Sequence, residues 1–239
     1  MHLTTLAPAL LTVASLASAQ LGYGNITSST NSTNITFGTN YAVLNLDLIN
    51  ALVSSVNATP SGDLWINSTA TWINAVHAQK PQPLTFFSRI YFSTVGQPEI
   101  GPTTPFGAVA KGLGNVTAVN ASTEIWPAFK VAKGDVVIQK ARYYAGAGNQ
   151  LEEILRAQKI DTVVLSGIRT SGVIITTALR LFDLDYKVFV IADNVIETAP
   201  NTAGIHAAIL EGILPKLPAT IISLKQALQA LNSSGPASY

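Results

Sequence analysis

Beyond residue 40 the chain alternates short runs of β-branched and aromatic residues with stretches whose apolar positions recur three and four residues apart. The first pattern suits strands buried on both faces, and the second suits helices that cover them. Strands are predicted at Tyr41–Leu46, Leu84–Ser88, Asp135–Gln139, Thr162–Ser166, Lys187–Ala192 and Ala219–Ser223. Helices are predicted at 61–78, with Ser61 as cap, at 149–158, at 171–183 and at 201–213. This alternation predicts one three-layer α/β/α, Rossmann-like domain around a mostly parallel central sheet of about six strands.

Three stretches fall outside that rhythm. Residues 3–19 are apolar and end in Ala17-Ser18-Ala19, a small-x-small pattern that a signal peptidase accepts, so residues 1–19 read as a cleaved secretory signal. Pro8 and several Ser/Thr residues interrupt the run, and its strongest apolar part is shorter than the roughly 20 residues that span a bilayer. Residues 20–40 form an uncharged Ser/Thr/Asn-rich arm, ahead of a domain over 41–232 and a tail over 233–239. The segment Thr94 to Pro127 is rich in Gly, Pro, Thr and Asn and predicts a long surface excursion, which either borders a site or is an inert insertion.

Only 11% of the residues are charged, against about 25% in an ordinary soluble domain. Fourteen basic and 13 acidic side chains leave a net charge of +1, too weak a field to gather phosphates, so no nucleic-acid partner is expected. Eight Asn-x-Ser/Thr acceptors, at Asn25, Asn31, Asn34, Asn57, Asn67, Asn115, Asn120 and Asn232, predict a glycoprotein. Glycans would supply the hydration that so few charges do not. The protein is therefore expected to be secreted and extracellular, with no membrane association after signal removal. There is no cysteine, which excludes disulfides, thiolate metal sites and a cysteine nucleophile.

In an open α/β sheet, ligands bind outside the carboxyl ends of the strands. Here those ends are polar: Asp47 follows the first predicted strand, Arg89 the second, Lys140 the third and Asp193 the fifth. After the fourth comes Gly167-Ile168-Arg169-Thr170-Ser171-Gly172-Val173, a glycine-bearing turn that opens a helix. Its first N–H groups can form an anion or oxyanion pocket, or Thr170 or Ser171 can simply cap the helix.

Three segments, in this order and spacing, resemble the isochorismatase-like hydrolase family, also called the cysteine hydrolases. They are Val43-Leu-Asn-Leu-Asp47, Gly134-Asp-Val-Val-Ile-Gln-Lys140-Ala-Arg142, and the run from Ile160 through Gly167 into the helix. Tyr186-Lys-Val-Phe-Val-Ile-Ala-Asp193 also fits, and the resemblance extends from about Tyr41 to Ser223. It implies an Asp-Lys-Cys triad, in which Asp47 and Lys140 match and Val173 stands at the nucleophile position. It also implies a cis peptide at Ile168-Arg169, with the N–H groups of Arg169 and Val173 as oxyanion donors. A covalent acyl-enzyme is excluded at a valine, and neither Ser171 nor Thr170, Thr176 or Thr177 lies where the thiol would.

A second chemistry is known in the family. Isochorismatases cleave a vinyl ether with the aspartate as acid, which protonates the enol carbon so that water attacks the oxocarbenium. Asp47 would need to hold a proton, which burial favours and the cations Lys140 and Arg89 oppose. Arg89, Arg142 and Arg169, with Thr170, Ser171 and Val173 of the turn, are the candidate substrate-binding residues for a small anionic or carbonyl-containing molecule. No cofactor is expected. No Asp/His metal cluster precedes Lys140, and His77 and His206 read as packing or solvation. The resemblance implies a dimer or tetramer built through helix surfaces. Two functions stand at this point: a hydrolase without a covalent cysteine intermediate, and a non-catalytic small-molecule-binding pseudoenzyme or secreted effector of the same fold.

Overall fold

Six strands form where the β-branched runs predict them. They are β1 (Tyr41–Leu46), β2 (Leu84–Ile90), β3 (Val136–Lys140), β4 (Thr162–Ile168), β5 (Lys187–Ile196) and β6 (Thr220–Ile222). The computed structural model describes residues 28–30 and 34–234. The signal segment, Asn25, Asn31 and residues 235–239 lie outside the described residues. The main helices are α1 (Pro60–Ala78), α2 (Pro105–Ala110), α3 (Leu151–Ala157), α4 (Ile175–Asp183), α5 (Thr202–Ala207) and α6 (Leu224–Ser234). The helix α1 starts one residue ahead of the predicted cap. Thr59 rather than Ser61 accepts the Gly62 N–H, at 3.0 Å, and Pro60 opens the first turn with its preset φ.

The sheet order is β3-β2-β1-β4-β5-β6, and every pairing is parallel. From β1 the chain adds strands on one side through β3, then crosses to the other side of β1 to lay down β4. The strand order therefore reverses between β1 and β4, and a ligand crevice belongs outside their carboxyl ends. Asp47 follows β1, and the Gly167 turn closes β4. One face of the sheet packs against Leu151 and Leu155 of α3 and Ala178 and Leu181 of α4. The other packs against Trp65, Trp72 and Val76 of α1 and Ala227, Ala230 and Leu231 of α6.

The sequence pattern assigned no helix after residue 213, yet α6 forms over Leu224–Ser234 and covers the second face. It also holds the arm. Phe37 N–H donates to Ser234 Oγ at 2.7 Å, and the Phe37 ring, 1% exposed, lies among Tyr41, Trp72 and Phe189. Ser29 N–H donates to the Ile221 carbonyl at 3.0 Å, and Ile221 N–H donates to Ser29 Oγ at 2.9 Å. The edge of β6, which would otherwise offer open backbone groups, is thereby partly paired. Among the described residues no helix is long and apolar enough to cross a membrane.

Candidate functional site

Parallel register brings three strand ends together. Leu46 of β1 lies opposite Ser88 of β2, and Ile90 of β2 lies opposite Lys140 of β3. One residue past β1 the backbone of Asp47 turns left-handed, at φ 58°, a region that residues with a side chain seldom adopt. Its N–H donates to Ser88 Oγ at 3.0 Å, the Ser88 hydroxyl donates to Asp47 Oδ1 at 2.7 Å, and Lys140 Nζ donates to Asp47 Oδ2 at 2.6 Å. Asp47 and Lys140, 93 positions apart, are 4% and 1% exposed.

The hydrogen bonds around Lys140 suit an ion pair. Lys140 Nζ faces three acceptors: Asp47 Oδ2, and the carbonyls of Arg142 and Tyr143 at 2.9 Å each. An ammonium has three N–H donors and satisfies all three, whereas a neutral amine would be satisfied only with Asp47 protonated and donating to it. Burial pushes the Asp47 carboxyl above its ordinary range, opposed by the Lys140 charge and by hydrogen bonds from Lys140 and Ser88. The same burial pulls the Lys140 ammonium down, with Asp47 opposing. Both shifts narrow the gap between the two groups, so Asp47 is brought nearer to protonation than a surface carboxylate.

The turn after β4 abuts this pair. Gly167 has φ 145°, and a Cβ there would stand 2.2 Å from the Leu46 carbonyl oxygen, so only glycine allows β4 to end this close to β1. The Ile168–Arg169 peptide is cis, as the resemblance implies. Thr170–Ile174 then forms a wide π-helical turn before α4 proper, and a π-turn of this kind recurs at functional sites. Val173 is 1% exposed and packs in the same apolar cluster as Leu46 and Ala145. Neither Thr170 nor Ser171 caps the helix with its side chain. Instead Thr170 Oγ1 meets His206 Nδ1 at 2.8 Å, and Ser171 N–H donates to Glu197 Oε2 at 2.7 Å. Glu197 Oε1 accepts the Thr198 N–H at 2.8 Å, so this carboxylate ties the turn after β4 to the chain after β5. Burial holds the His206 imidazole down to about 4, which keeps it neutral at ordinary pH.

The predicted arginines have separate partners. Arg89 lies inside β2, donates to the Thr123 and Ala118 carbonyls at 2.6 and 3.0 Å, and stacks on Tyr91. It anchors the excursion, and it is not among the groups that shift Asp47. Arg142 donates to the Ala141 and Glu99 carbonyls and stacks on Phe106. Arg169, partly buried, stays with the turn, where its Cγ and the Tyr143 ring both line Gly172. Asp193 does not end a strand, because β5 runs on to Ile196 and the Asp193 carboxylate accepts the Leu224 N–H at the start of α6. The excursion carries α2, and Phe106 packs edge-on against Tyr143 at 5.5 Å, just past Lys140. Among the described residues no three His, Asp or Glu side chains gather where a metal ion could sit.

Ser88, Glu197 and His206 touch the candidate site, and sequence reasoning did not single them out for it. Ser88 stood at the end of a predicted strand beside a more conspicuous arginine, and that position is the only signal it offered. Glu197 and His206 reach the turn from later elements, through contacts that no motif encodes.

An isochorismatase-domain profile matches residues 41–226. Among curated proteins, an uncharacterized isochorismatase family protein of Bacillus subtilis is 33% identical over 94 residues, covering 39% of this chain and 48% of that protein. The chain therefore spans about half the length of the curated relative that it matches. An isochorismatase family protein from Burkholderia thailandensis superposes with a TM-score of 0.69 at 24% identity, over 83% of this chain and 98% of that one. The N-carbamoylsarcosine amidase of Thermoplasma acidophilum gives 0.62 at 20% identity, over 77% and 96%. A nicotinamidase/pyrazinamidase of Bacillus subtilis gives 0.61 at 16% identity, over 77% and 100%. At these identities the structural likenesses speak for the fold alone, while the profile covers most of the chain, and on that match the protein belongs to the isochorismatase-like hydrolase family.

Proposed function

We propose that this protein is a secreted hydrolase of small anionic or carbonyl-containing molecules that works without a covalent enzyme intermediate, with Asp47 as the group that moves the proton. The observation that carries the reading is the buried Asp47–Lys140 contact of 2.6 Å beside a turn whose residue 173 is valine. Valine offers no nucleophile, so water attacks the substrate directly. Asp47 takes up a proton, which its raised affinity favours in a mildly acidic medium, and delivers it to the substrate. Lys140 holds the charge of the carboxylate before and after the transfer. A vinyl ether such as isochorismate fits this chemistry, since protonation at carbon creates the oxocarbenium that water captures. Arg169 is the cation at the turn for the substrate's anionic group.

Secretion and glycosylation belong to the same reading. The apolar start of the chain and the eight acceptors support it. Of the acceptors within the described residues, Asn34, Asn67, Asn115, Asn120 and Asn232 are exposed and Asn57 is half-buried.

A second reading, a ligand-binding protein that has lost catalysis, is favoured by the hydrocarbon at residue 173 and by the near-complete burial of Asp47. A hydrolysis screen that includes isochorismate and simple amides, run beside a thermal-shift screen of the same compounds, separates the two. The hydrolase reading expects turnover that rises as pH falls and drops at least a hundredfold in Asp47→Asn with the fold retained. Binding without turnover, indifferent to that substitution, establishes the second reading.

A further inference from the structure

The face of the sheet that meets α1 is polar in its middle, which is unusual for a parallel sheet buried on both sides. Asn45 of β1 points to this face, since Tyr41 and Val43, four and two positions earlier, pack with Trp65 and Trp72. Opposite Asn45 in register lies Ser166 of β4, whose hydroxyl donates to Asn45 Oδ1 at 2.9 Å. At Ser166 the β4–β5 register shifts, between Leu165 and Gly167, and Asn194 of β5 lies in that irregular stretch. Asn194 Oδ1 in turn accepts the hydroxyl of Ser68, on α1. A polar row thus crosses three adjacent strands under one turn of helix, and Trp65 and Thr69, four residues apart on that helix, flank Ser68.

Four groups, on the row itself or on the helical residues that flank Ser68, have no protein partner: Asn45 Nδ2, Asn194 Nδ2, Trp65 Nε1 and Thr69 Oγ1; elsewhere on the same face Tyr41 Oη and Trp72 Nε1 have none either. Each residue is 0% exposed. Both amide oxygens already accept a serine hydroxyl, so the amide ends turned inward are NH₂ groups, and an indole N–H also only donates. Three of the four groups are therefore obligate donors, and the fourth, a hydroxyl, can donate as well. Buried donors without an acceptor are rare in native proteins, and a buried water that makes about three hydrogen bonds is the usual acceptor.

We infer that ordered water molecules occupy the interface between α1 and the sheet, accepting from Asn45, Trp65, Thr69 and Asn194 and joining the strand that carries Asp47 to the helix. The site is distinct from the Asp47–Lys140 pair and does not depend on its activity. It also gives Thr69 a second role beside its place in the Asn67-Ser68-Thr69 acceptor, whose asparagine faces solvent while Ser68 and Thr69 face this layer.

Thr69→Val decides the matter by the sign of its effect, because valine keeps the shape and removes only the hydroxyl. It is made in an Asn67→Gln background, so that loss of the glycan acceptor does not enter, and compared with Asn67→Gln alone by urea unfolding. With water present, the folded-to-unfolded constant falls about fivefold, as a hydrogen bond is lost and a water is left short of a partner. In a dry interface the substitution removes an unpaired hydroxyl, and an unchanged or raised constant overturns the inference. An independent reading that needs no substitution is magnetization transfer from water to the Trp65 indole N–H and the Asn45 and Asn194 side-chain amides. Contacts with long-lived water at these protons are expected, and their absence overturns it.

Discussion

The β1–β2–β3 half of the candidate site and the β4–β5 half are both buried, but they use burial differently. In the first half a charge is surrounded until every donor and acceptor is matched. Asp47 has Lys140 and Ser88, and Lys140 has Asp47 and two carbonyls. In the second half the position at the centre of the turn is Val173, packed among apolar side chains, and the polar groups lie around the turn's backbone. Glu197 and His206 hold that backbone in place from later elements. Under the proposed function the groups for proton transfer, Asp47 and Lys140, are complete in the first half, while residue 173, where the resemblance places a nucleophile, is hydrocarbon in the second.

Three substitutions test that contrast, in order of expected size. Lys140→Met strips the counter-charge from a buried carboxylate and orphans two carbonyls, and it is expected to cost about 3–5 kcal/mol in urea unfolding. Adding Asp47→Asn to it should restore part of the loss, because the unpaired charge is then gone. A loss under about 1 kcal/mol would mean that the first half is not held together by its ion pair.

His206 probes the second half through pH. Its folded value, about 4, lies below its ordinary 6.5, so the folded state binds fewer protons than the unfolded state between these limits. Its contribution is present above pH 6.5 and is lost as pH falls through about 4, by about 3 kcal/mol in total. In His206→Gln this limb of the stability curve should vanish. If the wild type and the variant keep parallel curves from pH 7 to 4, the imidazole is not held neutral by burial.

The smallest change in stability is expected from Val173→Cys, within about 1.5 kcal/mol, since the side chains differ little in volume. Its chemical effect sharpens the contrast most, by supplying the missing group to a half that already has its turn. The introduced thiol should alkylate with iodoacetamide in the folded protein and give turnover of simple amides, measured by ammonia release. An unreactive thiol would show that the turn does not present residue 173 toward Asp47.

The strands were legible because β-branched runs between helical stretches have few other folds, and Asp47 and Lys140 were legible because they sit at fixed places on those strands. Their neighbours were harder to find. Ser88 reaches Asp47 only because parallel pairing sets Leu46 opposite it. Asp193 looked like another strand end, yet β5 continues past it and its carboxylate caps α6. Arg89 and Arg142 looked like ligands for a substrate anion, yet their guanidinium groups are engaged by carbonyls of the excursion and of Ala141 and by the rings of Tyr91 and Phe106. A guanidinium advertises its charge in the sequence but not its partner.

The amino-acid sequence by itself determined the alternation of strands and helices, the lack of any thiol, and the glycine that lets β4 end against β1. These depend on local conformation and composition, which each residue carries with it. Only the tertiary structure decided that Asp47 and Lys140 share a contact, that Ser88 completes it, that Glu197 and His206 brace the turn, and that α1 covers a polar row. Each of these contacts joins residues at least 26 positions apart, and the pairings become definite only when strand order, register and crossover are all in place.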